Sequence, residues 1–498
     1  MKKRNRMQTA RKRPKEENET MIKTVQELPI TSSSYPFASA EKHGALTEYG
    51  YVEREYLFSG TANVYRNDGA GNALVEYPDV PYTNRMVVRC PADPRAFSGH
   101  VVVEILNASG KFDIERMWIL SQRYFMNHGA AYVGITSKPD VFDALVRYDE
   151  ERYGAISWPN PRPQEERMQP TPGLSFVKPD QETGLFWDIL TDTARLLRTK
   201  EEKNPLAGYG VKYLTLTGWS QSSAYLVRYV NSFAYREDVA KDGPIFDGYF
   251  SAGGVYSMTV PVNQQEYGWP KNSADTVVRR MDQPYVIVQT QSENGSFCSN
   301  RVPRFDSDVP GNLCRLYEIP GATHDNLPGL VEYYKNDPKL NDSGIHPSYH
   351  GVHDYPNDFP YDYPMNAAFH QLFRWIEDGA APIHAPRLEL DAKGDALTDA
   401  FGNARGGVRT AFVDVPTCRY LPWSREERKG EVTVSPMFGH MEPFSSALLT
   451  ELYGSLAGYE EKVREATERH VRQGYVLREE AERLIAQAVA DAARRGLR

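Results

Sequence analysis

The feature that most restricts the fold is the run His100–Leu106 (HVVVEIL), almost continuously apolar and closed by the turn cluster Asn107-Ala108-Ser109-Gly110. A half-buried strand alternates; a run without alternation suits a parallel strand covered on both faces. Residues 113–127 follow with helical spacing, Ile114, Met117, Trp118, Tyr124 and Phe125 marking the apolar side and Gly129 the stop. Residues 130–135 (AAYVGI) form the next short buried strand. Strand, helix, strand at this spacing is a βαβ unit, the element of parallel sheets. The rhythm resumes with strands predicted at 213–217, 246–252, 285–291 and 315–319 and helices at 184–199, 222–235 and 365–378. Residues 49–65 alternate and 84–91 read as a further strand, so an antiparallel hairpin precedes the core. The predicted class is α/β, a doubly wound, mostly parallel sheet.

Two stretches break the rhythm. Residues 138–183 are rich in Pro and polar groups, and 325–364 in Tyr, Pro and His. Long irregular insertions in a compact domain are functional lids or disordered segments, and the aromatic content here predicts ordered lids over a pocket for a bulky or apolar group. Residues 441–498 are expected to form C-terminal helices packed on a catalytic domain of residues 25–440.

Charge is uneven. Residues 1–18 hold eight Lys/Arg against Glu16 and Glu17, a balance of +6, which leaves −14 for the rest of a chain whose net charge is −8. The head, about residues 1–24, has too few apolar groups to fold and is expected to be a disordered basic tail. The overall balance gives no reason to expect nucleic acid as a partner. No basic start followed by an apolar stretch of about 7–15 residues is present, nor a window of about 18 apolar residues, so no membrane span and a cytoplasmic location are expected. Four cysteines are too few for a disulfide framework; Cys298 and Cys314 alone could close a short excursion.

Strand 213–217 runs into Gly218-Trp219-Ser220-Gln221-Ser222 and then a helix. This is one change from G-x-S-x-G, a sharp strand-to-helix turn that lifts a serine hydroxyl clear of the sheet. Large side chains two before or two after the serine would clash, and Ser222 is the smallest fit after Gly or Ala. A serine nucleophile needs a base and an orienting acid, which on such sheets follow it in chain order. Strand 285–291 ends in Ser292-Glu293, and strand 315–319 leads to Pro320-Gly321-Ala322-Thr323-His324. Both positions lie at the C-terminal sheet edge, where sites of open α/β sheets form. His324 is therefore the predicted base and Glu293 the predicted acid, with Asp306 and Asp308 as its rivals. The tetrahedral oxyanion would take the N–H of Gln221 and that of Asn107 or Ala108.

Other groups point elsewhere. His346, His350, His353 and Asp354 match no zinc spacing, being broken by Gly and Pro, and no metal or other cofactor is expected. Glu104, inside an apolar strand, reads as a hydrogen-bonded core carboxylate.

Gly218-Trp219-Ser220-Gln221-Ser222-Ser223 with YLVRYVN resembles the "GxSQSG…LRxYxN" elbow of the α/β-hydrolase superfamily. The stretches YGYVEREYLFSGTANVY, VVVEILNASG, RLYEIPGATH, GGVRTAFVDVP and the C-terminal LYGSLAGYEEKVREATERHVRQGYVLREEAERL are similar, more narrowly, to the alpha/beta hydrolase domain-containing protein family. The resemblance spans roughly residues 25–495. It implies an α/β-hydrolase fold and an esterase-like serine hydrolase, with Ser220 as nucleophile and His324 as base. Its S-E-x-D-like acid context maps to Ser292-Glu293, with Gly295 in place of the second acid. The expected activity is hydrolysis of a small-molecule carboxylic ester or lactone through an acyl-enzyme. An acyltransferase with the same triad, or a binding protein on the same fold, are the other classes weighed, and a homo-oligomer is left open.

Overall fold

The computed structural model describes residues 20–498 apart from 43–45, 173, 175, 255–257, 269–272, 295–304, 327–330, 336, 346–351 and 429. Its centre is one ten-stranded sheet. In chain order the strands are β1 (Ile22–Glu27), β2 (Tyr51–Asn67), β3 (Ala73–Pro91), β4 (His100–Ile105), β5 (Ala131–Ile135), β6 (Tyr213–Trp219), β7 (Gly248–Ala252), β8 (Met281–Thr290), β9 (Ser307–Val309) and β10 (Asn312–Ile319). In space they run β1-β2-β3-β5-β4-β6-β7-β8-β10-β9. Pairing is parallel from β5 through β4, β6, β7 and β8 to β10, and antiparallel at both ends. The α/β-hydrolase fold expected of the sequence is therefore the fold observed.

Every residue of β4 and β5 is buried, as the unbroken apolar runs require of strands covered on both faces. Helices Arg116–Asn127 and Asp362–Asp378 meet through Phe125 and Phe369, and Phe369 stacks on Phe250 of β7 at 3.9 Å. Helices Phe186–Arg198 and Gln221–Ser232 meet through the stacked rings of Trp187 and Tyr225. Trp118, Trp158 and Trp187 are core.

Glu104 of β4 accepts from the N–H groups of Met117 and Trp118, at the start of helix Arg116–Asn127, and from Tyr132 Oη. The core reading of this residue holds.

Two small sheets lie beyond the core: β11 (Cys418–Leu421) with β14 (His440–Pro443), and β12 (Ser424–Arg428) with β13 (Glu431–Ser435). Helices Ser446–Tyr453, Leu456–Arg472 and Ala481–Arg494 close the chain. No helix among the described residues is long and apolar enough to cross a membrane. Cys90, Cys314 and Cys418 are buried free thiols, and Cys298 lies outside the described residues.

Candidate active site

Strand β6 ends at Trp219 and helix Gln221–Ser232 begins two residues later, which leaves Ser220 to turn the chain alone. Its backbone sits at φ 58, ψ −120, a region costly for a residue with a Cβ and found where a turn holds a functional side chain. The turn is sharp enough that a Cβ on Gly218 would come within 2.7 Å of the Ser222 carbonyl. Only glycine fits there, and only a small residue fits at 222. The Ser220 N–H donates to the Ala252 carbonyl at 3.0 Å, tying the elbow to β7.

His324 stands on the loop after β10, and its Nε2 lies 2.8 Å from Ser220 Oγ. Its Nδ1 lies 2.7 Å from Glu293 Oε1. Both side chains are buried. Glu293 is held in turn by the end of β8: its Oε2 accepts the Thr290 N–H in a capping box. The His324 N–H donates to Ser292 Oγ, which donates to the Pro422 carbonyl. The chain thus brings Ser220, His324 and Glu293 together.

The rival carboxylates sit elsewhere. Asp306 accepts from the Leu316 N–H and pairs with Arg387 and His384. Asp308 pairs with Arg315.

The two oxyanion alternatives also separate. The Asn107 N–H donates to the Ile114 carbonyl at 2.9 Å, and Asn107 Nδ2 to the Trp219 carbonyl at 2.8 Å. Asn107 therefore closes its own loop with its N–H and fastens that loop to the elbow with its side chain. Among the described residues, the N–H groups of Ala108 and Gln221 have no backbone acceptor.

Ser220 and His324 open into a cavity of about 270 Å³. Its walls are Asn107, Ser109, Gly110, Phe112 and Ile114 of the loop after β4, Arg116 at the start of the following helix, Trp219 of the elbow, Asp325, and Met437 and Phe438 between β13 and β14. Of the two segments expected to be lids, only Asp325 lines it among the described residues. Much of 138–183 is core instead: Trp158 is fully buried, edge-on to Phe142 and stacked on Phe186. The wall contributed by Met437 and Phe438 has no counterpart in the sequence reading.

No group of three or more His, Cys, Asp or Glu among the described residues could hold a metal ion. His353 faces Glu427 at 3.4 Å and Asp354 pairs with Arg425; His346 and His350 lie outside the described residues.

The alpha/beta hydrolase domain pattern matches residues 24–486. The chain belongs to that family and has its fold. No curated protein matches it. Among solved structures, it is similar to an α/β serine hydrolase from Xanthomonas campestris described as lacking a lid, at 11% identity over 53% of this chain and 85% of that one, with a TM-score of 0.28. Esterase B from Lactobacillus rhamnosis is 13% identical over 53% of this chain and 76% of that one, with a TM-score of 0.26. An esterase from Thermogutta terrifontis is 14% identical over 47% of this chain and 77% of that one, also with a TM-score of 0.26.

Proposed function

We propose that this protein is a serine hydrolase that cleaves a small-molecule carboxylic ester or lactone through an acyl-enzyme. The observation that carries the reading is the pair of contacts on one imidazole, Ser220 Oγ at Nε2 and Glu293 Oε1 at Nδ1. A hydroxyl is a poor nucleophile until a base removes its proton as it attacks. His324 Nε2 takes the Ser220 proton while Oγ bonds the ester carbonyl carbon. The same imidazolium then protonates the departing alkoxide, leaving the acyl group on Ser220. Water repeats the sequence and frees the acid. Glu293 fixes the imidazole tautomer and stabilises its charged form without accepting the proton itself. The N–H groups of Gln221 and Ala108 receive the tetrahedral oxyanion.

The test compares wild type and Ser220→Ala on short p-nitrophenyl esters, alongside labelling by a fluorophosphonate probe. Loss of a triad member typically lowers the rate by several orders of magnitude. The expected result is hydrolysis and labelling in the wild type, both abolished in the variant. Hydrolysis that survives at the wild-type rate in Ser220→Ala overturns the assignment.

A further inference from the structure

Three consecutive residues at the end of β5 reach the two halves of the oxyanion pocket. Thr136 Oγ1 donates to Asp113 and Ser137 Oγ to the Leu106 carbonyl, so both hold the loop that carries Ala108. Lys138 Nζ donates to Gln221 Oε1 at 2.5 Å, across the elbow. All three residues are buried. We propose, on the serine-hydrolase reading above, that Lys138 is a positioning residue: its ammonium holds the Gln221 side chain, and through it the Gln221 N–H, in register with the donor loop that Thr136 and Ser137 fix.

The placement is costly for structure alone. Gln221 opens helix Gln221–Ser232, whose N-terminal end is electropositive and repels a cation. Lys138 is fully buried there, and an ammonium taken out of water loses far more than one hydrogen bond returns. The face of the Tyr225 ring, 4.0 Å from Nζ, offsets part of that loss. The carboxylates that act on it are Asp140 and Asp113. Asp113 is itself held by Arg85 and Thr136, and Asp140 also feels Lys178 and Lys111. An oxyanion forming at the Gln221 N–H would place negative charge beside this cation, so the lysine favours the transition state over the resting enzyme.

The ammonium also makes the site sensitive to pH. Burial pushes Lys138 down to about 7, so the charge that strengthens its hydrogen bond to Gln221 is lost as the pH rises through neutrality. Activity must fall as Lys138 becomes neutral.

The experiment measures kcat and KM for p-nitrophenyl acetate from pH 5 to 9 in wild type, Lys138→Arg and Lys138→Met, with Ser220→Ala as the blank and thermal melting as the folding control. Expected is a wild-type profile descending near pH 7, a descent moved well upward in Lys138→Arg, and kcat lowered by about 10- to 100-fold in Lys138→Met with KM nearly unchanged. An unchanged kcat and pH profile in a folded Lys138→Met overturns the proposal. Should that variant fail to fold, a Lys138→Arg profile identical to wild type overturns it. A wild type no more active than Ser220→Ala instead removes the reading on which the proposal rests.

Discussion

Asp325, one residue past His324, donates its backbone N–H to the carbonyl of Met437 at 2.7 Å. The base of the candidate triad is thereby fastened to a segment more than a hundred residues further along the chain. A Cβ on Gly439 would come within 2.2 Å of Thr323 Cγ2, so the approach of the two segments is as close as a glycine permits. Met437 and Phe438 consequently serve as a wall of the cavity.

That wall sets a size limit. A cavity of about 270 Å³ lies at the lower edge of ligand sites, roughly 300–1,000 Å³. The wild type is expected to prefer short acyl groups over octanoyl. Phe438→Ala removes a ring from the wall and leaves the triad in place. A poorly accommodated methylene costs about 1–3 kcal/mol, so the kcat/KM ratio of p-nitrophenyl octanoate to acetate is expected to rise at least about tenfold. An unchanged ratio shows that the acyl group lies elsewhere.

Glu293 and its two rivals make separable predictions. Glu293→Gln keeps the shape but loses the charge that orients His324, and kcat is expected to fall by about three to four orders of magnitude. Asp306→Asn and Asp308→Asn leave His324 untouched. They are expected to retain wild-type kcat on p-nitrophenyl esters, with lower stability for Asp306→Asn, whose carboxylate holds Arg387 and the Leu316 N–H. A folded Asp306→Asn as inactive as Glu293→Gln refutes the assignment.

Much of this site was legible because its signals are local. Gly218, Ser220 and Ser222 announce a steric requirement that the backbone then shows at φ 58. Glu293 and His324 each follow a buried strand directly, so their places at the sheet edge follow from the strand reading. Asn107 and Ala108 were equivalent on paper, because only the bridge to Ile114 reveals which N–H is engaged. Met437 and Phe438 had no signal at all: β12 is the charged run SREER, and nothing near it in sequence says that it leads to a cavity. Lys138 was equally silent, since a lysine after a strand reads as solvated until its burial is seen. Strand β1 was missed because IKTVQE does not alternate, its apolar Ile22 and Val25 standing three apart, and its pairing with β2 is a tertiary fact.

Glu104 makes the folded state sensitive to pH. Burial pushes its carboxyl up to about 8, against the hydrogen bonds from Met117, Trp118 and Tyr132, which favour the charged form. A raised value means that the folded chain binds a proton that the unfolded chain has released between about pH 4.5 and 8. Its contribution to stability is full below about pH 4.5 and is lost as the pH rises through 8. Urea denaturation at pH 5 and pH 8 measures this. The difference between the two midpoints is expected to shrink in Glu104→Gln, and a difference equal to that of the wild type contradicts the assignment.

The cavity wall itself rests on buried ion pairs. Along residues 112–116, Phe112, Ile114 and Arg116 face the cavity while Asp113 and Glu115 point back to β3. Arg85 Nη1 lies 2.9 Å from Asp113, and Arg89 Nη1 lies 2.7 Å from Glu115. Arg89 also holds Glu53 at 2.7 Å, and Tyr333 Oη donates to Glu115. These groups are buried, so removing one partner leaves the others charged and desolvated, at about 3–5 kcal/mol. Arg89→Met is therefore expected to lower the urea midpoint strongly. It is also expected to raise KM for short p-nitrophenyl esters more than it lowers kcat, because the loop moves while Ser220, His324 and Glu293 keep their contacts. Glu115→Gln keeps hydrogen bonds to Arg89 and Tyr333 and is expected to show a weaker form of both effects. An Arg89→Met protein with wild-type KM and a reduced midpoint makes the pair a matter of stability alone and detaches it from the shape of the cavity.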